Sequence, residues 1–143
     1  MTLLRVTPEG VVDAGSSLDP IVEGLQAQRP NQARVPVERM VALFDDYSRK
    51  LLRDPRTRSL EAVMFLSAWL KRDNLQKILE LNLNGDPACL DGFVPHGRGF
   101  LAAKPHGLVS TWMAGNVGTL PMFSLVPTLL TKNVSVLKLA AGD

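Results

Sequence analysis

A turn rich in small residues follows a short apolar run in the last third of the chain, and its composition suits close approach of a ligand. The run covers residues 108–113, and Ala114, Gly115, Asn116 and Gly118 follow it. Ligands of open α/β sheets bind at the carboxyl ends of strands, where this turn would lie. Asn116 offers an amide donor there, although asparagine is also a common turn residue. The glycine spacing is not G-x-G-x-x-G, so no dinucleotide fingerprint is present.

A lysine stands at the carboxyl end of a second apolar run, residues 134–139. Lys138 is costly in a strand unless its ammonium reaches water or a partner. Two interpretations remain open. The ammonium contacts the ribose or phosphate of a nucleotide, or it extends past the strand end into solvent.

The other nucleophilic and metal-binding residue types form no pattern. Cys89 is the single cysteine and lies in a turn-rich segment, where no predicted helix amino terminus would lower the pKa of its thiol. It is predicted to be structural. His96 and His106 each stand between Pro and Gly and lack metal-ligand spacing, so we expect no metal site.

Three helices are predicted before the first apolar run. After Pro36, apolar residues at helical spacing predict an amphipathic helix that ends at Asp54–Pro55. Ser59 is expected to cap a second helix, residues 60–72, which should be buried because it is apolar on nearly every side. A capping-box pair opens a third, residues 74 to about 83, with Gly85 as its left-handed cap. The apolar stripe of the first helix comprises Val37, Met40, Val41, Phe44, Tyr47 and Leu51.

The carboxyl-terminal part reads as strand, helix and strand. Residues 108–113 and 134–139 are the strands and residues 119–132 the helix, which is the order of a right-handed βαβ unit. Residues 99–104 could form an edge strand. Residues 1–35 look loosely organised, with at most a short helix at 21–28.

The predicted class is therefore α/β: amino-terminal helices followed by one βαβ unit. Parallel sheets usually have more than two strands and both faces covered, so this sheet would be incomplete. We expect the chain to be the first part of a larger protein. A complete small α/β domain is the alternative.

Composition places the chain among ordinary globular proteins. It has 143 residues, 45% apolar and 21% charged, with a net charge of +2. That charge is too small to indicate nucleic-acid binding. The longest apolar run, residues 62–70, is far below the roughly 20 residues of a membrane span. With one cysteine and no signal-peptide pattern, a soluble cytoplasmic protein is expected.

The charge is unevenly distributed. Residues 92–142 contain no Asp or Glu. Buried elements that exclude charge, or a surface that meets a polyanion such as a nucleotide phosphate, would each explain this. The cations of this segment are Arg98, Lys104, Lys132 and Lys138. A second basic cluster is expected to be a solvated helix end, with an acidic partner as the alternative; it comprises Arg49, Lys50, Arg53, Arg56 and Arg58.

Two of these segments resemble the start of the cofactor domain of the aldehyde dehydrogenase superfamily. They are residues 105–116, PHGLVSTWMAGN, and residues 131–138, TKNVSVLK. Residues 65–75, FLSAWLKRDNL, are similar to a helix that precedes this domain in the superfamily.

Finer features resemble the LuxC-type acyl-CoA reductases within that superfamily. These are AGNV at residues 114–117 and LLTKN at residues 129–133. The resemblance covers residues 59–143 well and 1–58 poorly. It implies a leader with an amphipathic helix (1–58), a helical segment with a turn-rich linker (59–98) and the start of a Rossmann-type NADP-binding domain (99–143).

The resemblance also implies a reaction. Such enzymes transfer an acyl group from coenzyme A to a cysteine thiol, and hydride from NADPH releases the aldehyde. Asn116 matches the family's oxyanion donor, and Lys138 matches the residue that contacts the adenosine ribose. The cofactor path is lined by the backbone of Trp112, Met113, Ala114 and Gly115. Ala141 stands where many NAD-preferring relatives carry an acid, which favours NADPH.

The family's nucleophilic cysteine would lie beyond residue 143, and Cys89 does not match it. The chain alone is therefore predicted to be inactive. The implied partners are a fatty acyl-CoA substrate, further copies of the full-length chain, and an acyl-transferring or acyl-activating protein. A reductase of another acyl substrate, such as an acyl phosphate, stays open. So does a non-catalytic interaction or nucleotide-binding module that docks through its open sheet edge.

Overall fold

The computed structural model describes residues 4–7, 10–13, 15, 17–114 and 118–139. The helices within these ranges are α1 (Asp19–Arg34), α2 (Val37–Arg53), α3 (Glu61–Trp69), α4 (Arg72–Asn82) and α5 (Leu120–Leu130), with a 3₁₀ helix at Pro87–Leu90. The strands are β1 (Leu4–Thr7), β2 (Gly10–Asp13), β3 (Val94–His96), β4 (Gly99–Leu101), β5 (Leu108–Trp112) and β6 (Val134–Lys138).

The strands form three two-stranded sheets. β1 pairs with β2 and β3 with β4, both antiparallel, whereas β5 pairs with β6 in parallel. Helix α5 connects β5 to β6, so the predicted βαβ unit is confirmed, and with it a mixed α/β structure. Residues 99–101 are one arm of a hairpin with β3.

The main hydrophobic core is helical. It joins one face of α2 to α3, α4, the 3₁₀ helix and α5, while Val134, the one buried residue of strands β5 and β6, lies outside this cluster. The parallel strands instead contact the helices α5 and α1. The cluster consists of Val37, Met40, Val41, Phe44, Leu66, Leu70, Leu75, Leu79, Leu90, Val126 and Leu130.

Helix α2 follows its predicted stripe with one exception. Tyr47 is 39% exposed, and the neighbouring Ser48 is buried in its place. Ser48 lies four residues after Phe44 and so on the same helix face. Its hydroxyl donates to the Asp45 carbonyl at 2.7 Å, which satisfies the group inside the core. The helix ends at Arg53, directly before the Asp54–Pro55 pair.

The prediction of a buried second helix is wrong. Helix α3 buries Val63, Leu66 and Ser67, but Met64 is 65% exposed and Phe65 is 64% exposed. An apolar composition on all sides predicts burial only where neighbours surround a helix, and α3 packs chiefly against α2. Its N-cap is Leu60 rather than Ser59, with no capping side chain.

Helix α4 is capped from another helix. It begins at Arg72, and the predicted Asp73 capping box does not form. The Arg72 amide instead donates to Asp45 Oδ1 of α2 at 3.2 Å. At the other end Asn84 and Gly85 both take positive φ, 54° and 86°, so the expected left-handed cap is confirmed and extends over two residues.

The amino-terminal region is more ordered than expected. A β1–β2 hairpin precedes α1, which has 16 residues and extends beyond both ends of the predicted 21–28 helix. The prolines misled the prediction. Pro20 occupies the first turn, where its missing N–H costs no hydrogen bond, and Pro30 is tolerated inside the helix.

Candidate functional site

Neighbouring residues at the carboxyl end of the parallel sheet carry an indole and an ammonium. Trp112 and Lys138 are register partners as the last residues of β5 and β6, so their side chains project from the same face. The strands stay paired one step further, because the Met113 amide donates to the Lys138 carbonyl at 2.9 Å. Trp112 is 79% exposed.

Lys138 is exposed, and its ammonium makes no ion pair or hydrogen bond to any other described residue. Among the described residues, nothing neutralises the positive charge at this strand end. Beside it stands a flat aromatic surface of the kind on which a base stacks. Together they can hold a planar heterocycle that carries an anionic group.

The remaining predicted site residues follow β5 and β6 closely. Met113 is half-buried and Ala114 exposed directly after β5, at the edge where Trp112 ends. Gly115, Asn116 and Ala141 lie outside the described residues, so their predicted roles stay predictions.

The opposite end of the sheet is held by the loops that precede the two strands. The Gly107 amide donates to Asn133 Oδ1 at 2.8 Å, and the Gly107 carbonyl accepts from Val134 N at 2.9 Å. Gly107 has φ 111°, a conformation that favours glycine. These bonds fix the register at Leu108 and Val134, and hence the register at Trp112 and Lys138, four residues further along each strand.

An ion pair between a buried lysine and a partly exposed aspartate joins the loop before β6 to the helical core. Lys132 is 5% exposed, and its Nζ donates to Asp91 Oδ1 at 2.5 Å and to the Ala33 carbonyl at 3.0 Å. The same Asp91 carboxylate accepts from the Val37 amide at the start of α2. Four segments of chain therefore converge on one ion pair.

The position of Lys132 removes one of the four cations from the surface interpretation of the acid-free segment. Of its four cations, Arg98, Lys104 and Lys138 are exposed, whereas Lys132 is internal. Spacing gave no hint of the pair, because Asp91 lies 41 positions away. Lys132 also closes α5: its amide donates to Leu129 O and the Asn133 amide donates to Thr128 O, which is the Schellman pattern.

The surroundings of Cys89 are those of a structural cysteine. The residue is 1% exposed, inside the 3₁₀ helix. Burial, reinforced by the charge of Asp86, raises the pKa of its thiol, so the reactive thiolate is disfavoured. His96 and His106 are exposed. Over the described ranges, no group of three or more His, Cys, Asp or Glu could hold a metal.

Only some residues of the basic cluster at the end of α2 form ion pairs. Arg49 binds Asp45 and Asp46, and Arg56 binds Asp54. Lys50, Arg53 and Arg58 are exposed and form no ion pair with another described residue.

Comparison with known proteins identifies one family. The model of the acyl-CoA reductase (LuxC) family matches residues 33–143, which is most of the chain and includes all of α2. Neither the curated proteins nor the solved structures yielded a match. Within the described ranges, no helix combines the length and the apolar content that crossing a bilayer requires.

Proposed function

Because the chain belongs to the acyl-CoA reductase (LuxC) family, we propose that it is the amino-terminal part of a cytoplasmic enzyme that reduces a long-chain fatty acyl-CoA to the aldehyde with NADPH. In this proposal β5, α5 and β6 begin a Rossmann-type cofactor domain. The observation that carries it is the Trp112–Lys138 pair at the carboxyl edge of the sheet.

The chemistry of this edge suits a dinucleotide phosphate. The exposed indole of Trp112 offers a stacking surface, and the unpaired ammonium of Lys138 offers a charge for the ribose and its 2′-phosphate. No acid occurs between residues 92 and 142, and Ala141 matches in sequence the position at which many NAD-preferring relatives carry an acid. These features favour NADPH over NADH. The backbone of Met113, Ala114 and Gly115 would line the path to the reacting end.

When bound, NADPH supplies the hydride that reduces the acyl carbonyl. The chain's own contribution is Asn116, whose amide would donate to the carbonyl oxygen as negative charge develops there. Asn116 follows Trp112 by four positions in the sequence. In a catalytically complete chain, Asn116→Ala should lower the rate roughly 10²–10³-fold.

Cys89 is not suited to be the nucleophile. Its burial and raised thiol pKa oppose attack on a thioester. We propose that a cysteine beyond residue 143 accepts the acyl group and releases the coenzyme A thiol. The 143-residue chain would then bind cofactor without turnover.

Direct binding of NADPH tests the proposal. Equilibrium dialysis would compare the native chain with Lys138→Ala and with Lys104→Ala, which removes an equally exposed lysine outside the site. We expect Lys138→Ala to weaken NADPH binding roughly tenfold, the loss of one charge-assisted contact, and NADH binding less. The control should bind as the native chain does. Equal loss in both variants, or no binding by the native chain, would contradict the cofactor site.

One observation favours a second candidate function. Within the described residues, β5 and β6 pair only with each other, so each keeps an open edge. A non-catalytic module could dock through that edge. Such a module would bind NADPH and NADH equally poorly and would lose no affinity for cofactor in Lys138→Ala.

A further inference from the structure

The outer face of α2 carries apolar side chains that the core does not use. The core-facing positions of this helix include Val37, Val41 and Phe44. Away from the core Leu43 is 63% exposed, and Tyr47, between Leu43 and the core-facing side, is 39% exposed. A helix face that meets only water needs neither residue. A shallow groove of about 340 Å³ lies there, lined by Leu43, Asp46, Tyr47, Arg49, Lys50 and Arg53.

The rim of this groove has unbalanced positive charge. Asp46, its one acid, is bound by Arg49 at 2.9 Å. Lys50 and Arg53 are exposed and unpaired among the described residues, and so is Arg39, one turn before Leu43. Because positions 39, 43, 46, 50 and 53 recur at intervals of three and four, these side chains form one continuous stripe.

The length and order of the stripe define its complement. From Arg39 to Arg53 the stripe covers fifteen residues, which is about 21 Å at the rise of an α-helix. Leu43 is the one apolar member of the stripe and Tyr47 lies beside it; Arg39 stands at one end, and Lys50 and Arg53 stand at the other. A matching ligand of this length has apolar groups in its centre and carboxylates that flank them.

We propose that this face of α2, the α2 groove, docks an acidic amphipathic helix of a partner protein. Leu43 and Tyr47 would pack against its apolar side chains, as at an ordinary helix–helix contact. Arg39, Lys50 and Arg53 would pair with its carboxylates and set its direction along α2. The proposal concerns a surface separate from the Trp112–Lys138 edge and does not depend on the cofactor.

A charge swap tests the proposal. The probes are two fluorescent 18-residue amphipathic helical peptides with the same leucine positions, one with glutamates on its flanks and one with lysines. Anisotropy is followed at low salt. The native chain should bind the acidic peptide at least roughly tenfold more tightly than the basic one. The double variant Lys50→Glu/Arg53→Glu should reverse that order.

Two further variants separate the groove from overall charge and from apolar contact. Arg98→Glu/Lys104→Glu changes the net charge equally, at exposed residues outside the groove, and should keep the native preference. Leu43→Ser should weaken binding about fivefold or more, both of the acidic peptide to the native chain and of the basic peptide to the Lys50→Glu/Arg53→Glu variant. Circular dichroism should confirm an intact fold. Equal effects of the two double variants would overturn the proposal.

Two other occupants of the α2 groove, a lipid surface and a second copy of the chain, would give distinct results. Vesicles of phosphatidylglycerol and phosphatidylcholine that bind the native chain through Lys50 and Arg53, without peptide binding, would overturn the proposal in favour of a lipid surface. Self-association in sedimentation velocity that Leu43→Ser abolishes, again without peptide binding, would overturn it in favour of a second copy.

Discussion

The ammonium of Lys132 lies 2.5 Å from the carboxylate of Asp91, on the boundary between the helical core and the parallel strands. Lys132 closes α5 and precedes β6, while Asp91 follows the 3₁₀ helix and accepts from the first amide of α2. The pair therefore fixes the strand that ends in Lys138 against the helix that carries the α2 groove. Its value lies in holding these elements in one arrangement, because buried ion pairs add little net stability.

Removal of Asp91 should be costly. Asp91→Ala leaves the Lys132 ammonium buried without its counter-charge and the Val37 amide without its acceptor. We expect a loss of about 3 kcal/mol in the free energy of unfolding, measured by urea denaturation. Asp73→Ala, at an exposed carboxylate of α4, is the matched control and should change it by less than about 0.5 kcal/mol. Similar losses in both variants would contradict the role of the pair.

The backbone at Lys132 predicts an unusual ranking of substitutions. With φ at 63°, this position suits glycine better than alanine. Lys132→Gly and Lys132→Ala both remove the ammonium, so the difference between them isolates the backbone. Lys132→Gly should be more stable than Lys132→Ala by about 1 kcal/mol in thermal or urea unfolding. The reverse order, which holds inside a helix, would show that the left-handed cap is not formed.

The two faces of α3 should respond differently to truncation. Leu66 is 5% exposed in the core, whereas Met64, two positions earlier, is 65% exposed. Leu66→Ala should lower the free energy of unfolding by about 2–5 kcal/mol, through lost burial and the cavity left behind. Met64→Ser should change it by less than about 0.5 kcal/mol. A loss above about 2 kcal/mol in Met64→Ser would place that side chain in contact with another surface.

Asp54 should titrate well below an ordinary aspartate. Hydrogen bonds from the Arg56 side chain and amide lower its pKa from 3.8 to about 2. Since the folded-state pKa is the lower one, the interaction stabilises the fold above pH 3.8, and this contribution is lost as the pH falls through about 2. Carboxyl ¹³C shifts should give this pKa in the native chain. In Arg56→Ala it should rise toward 3.8, while Arg58→Ala should leave it unchanged.

The sequence predicted those elements whose cause is local. The spacing of Val37, Met40 and Phe44 identified α2, and the two apolar runs identified β5 and β6, because periodicity records which face is buried. The sequence placed Trp112 and Lys138 near the carboxyl ends of these two strands, but their register as direct partners is seen only in the structure.

The missed features depend on residues distant in sequence. Asp45 caps α4 across 27 positions, and Asp91 pairs with Lys132 across 41, so neither contact leaves a local pattern. Met64 is exposed because of how the other elements pack around α3, and apolar composition alone does not reveal that packing. The prolines around α1 read as helix breakers, although Pro20 sits where helices accept it.

The placement of the two tryptophans gives the molecule an internal optical probe. Trp69 is half-buried and packs edge-on against Phe123, with ring centroids 4.7 Å apart, whereas Trp112 stands almost fully in water. Their emission should therefore resolve into a blue-shifted and a red-shifted component. Iodide should quench only the red one. Any molecule that covers the sheet edge would protect that component, so occupancy can be followed without a label, with Trp69 as the reference in the same spectrum.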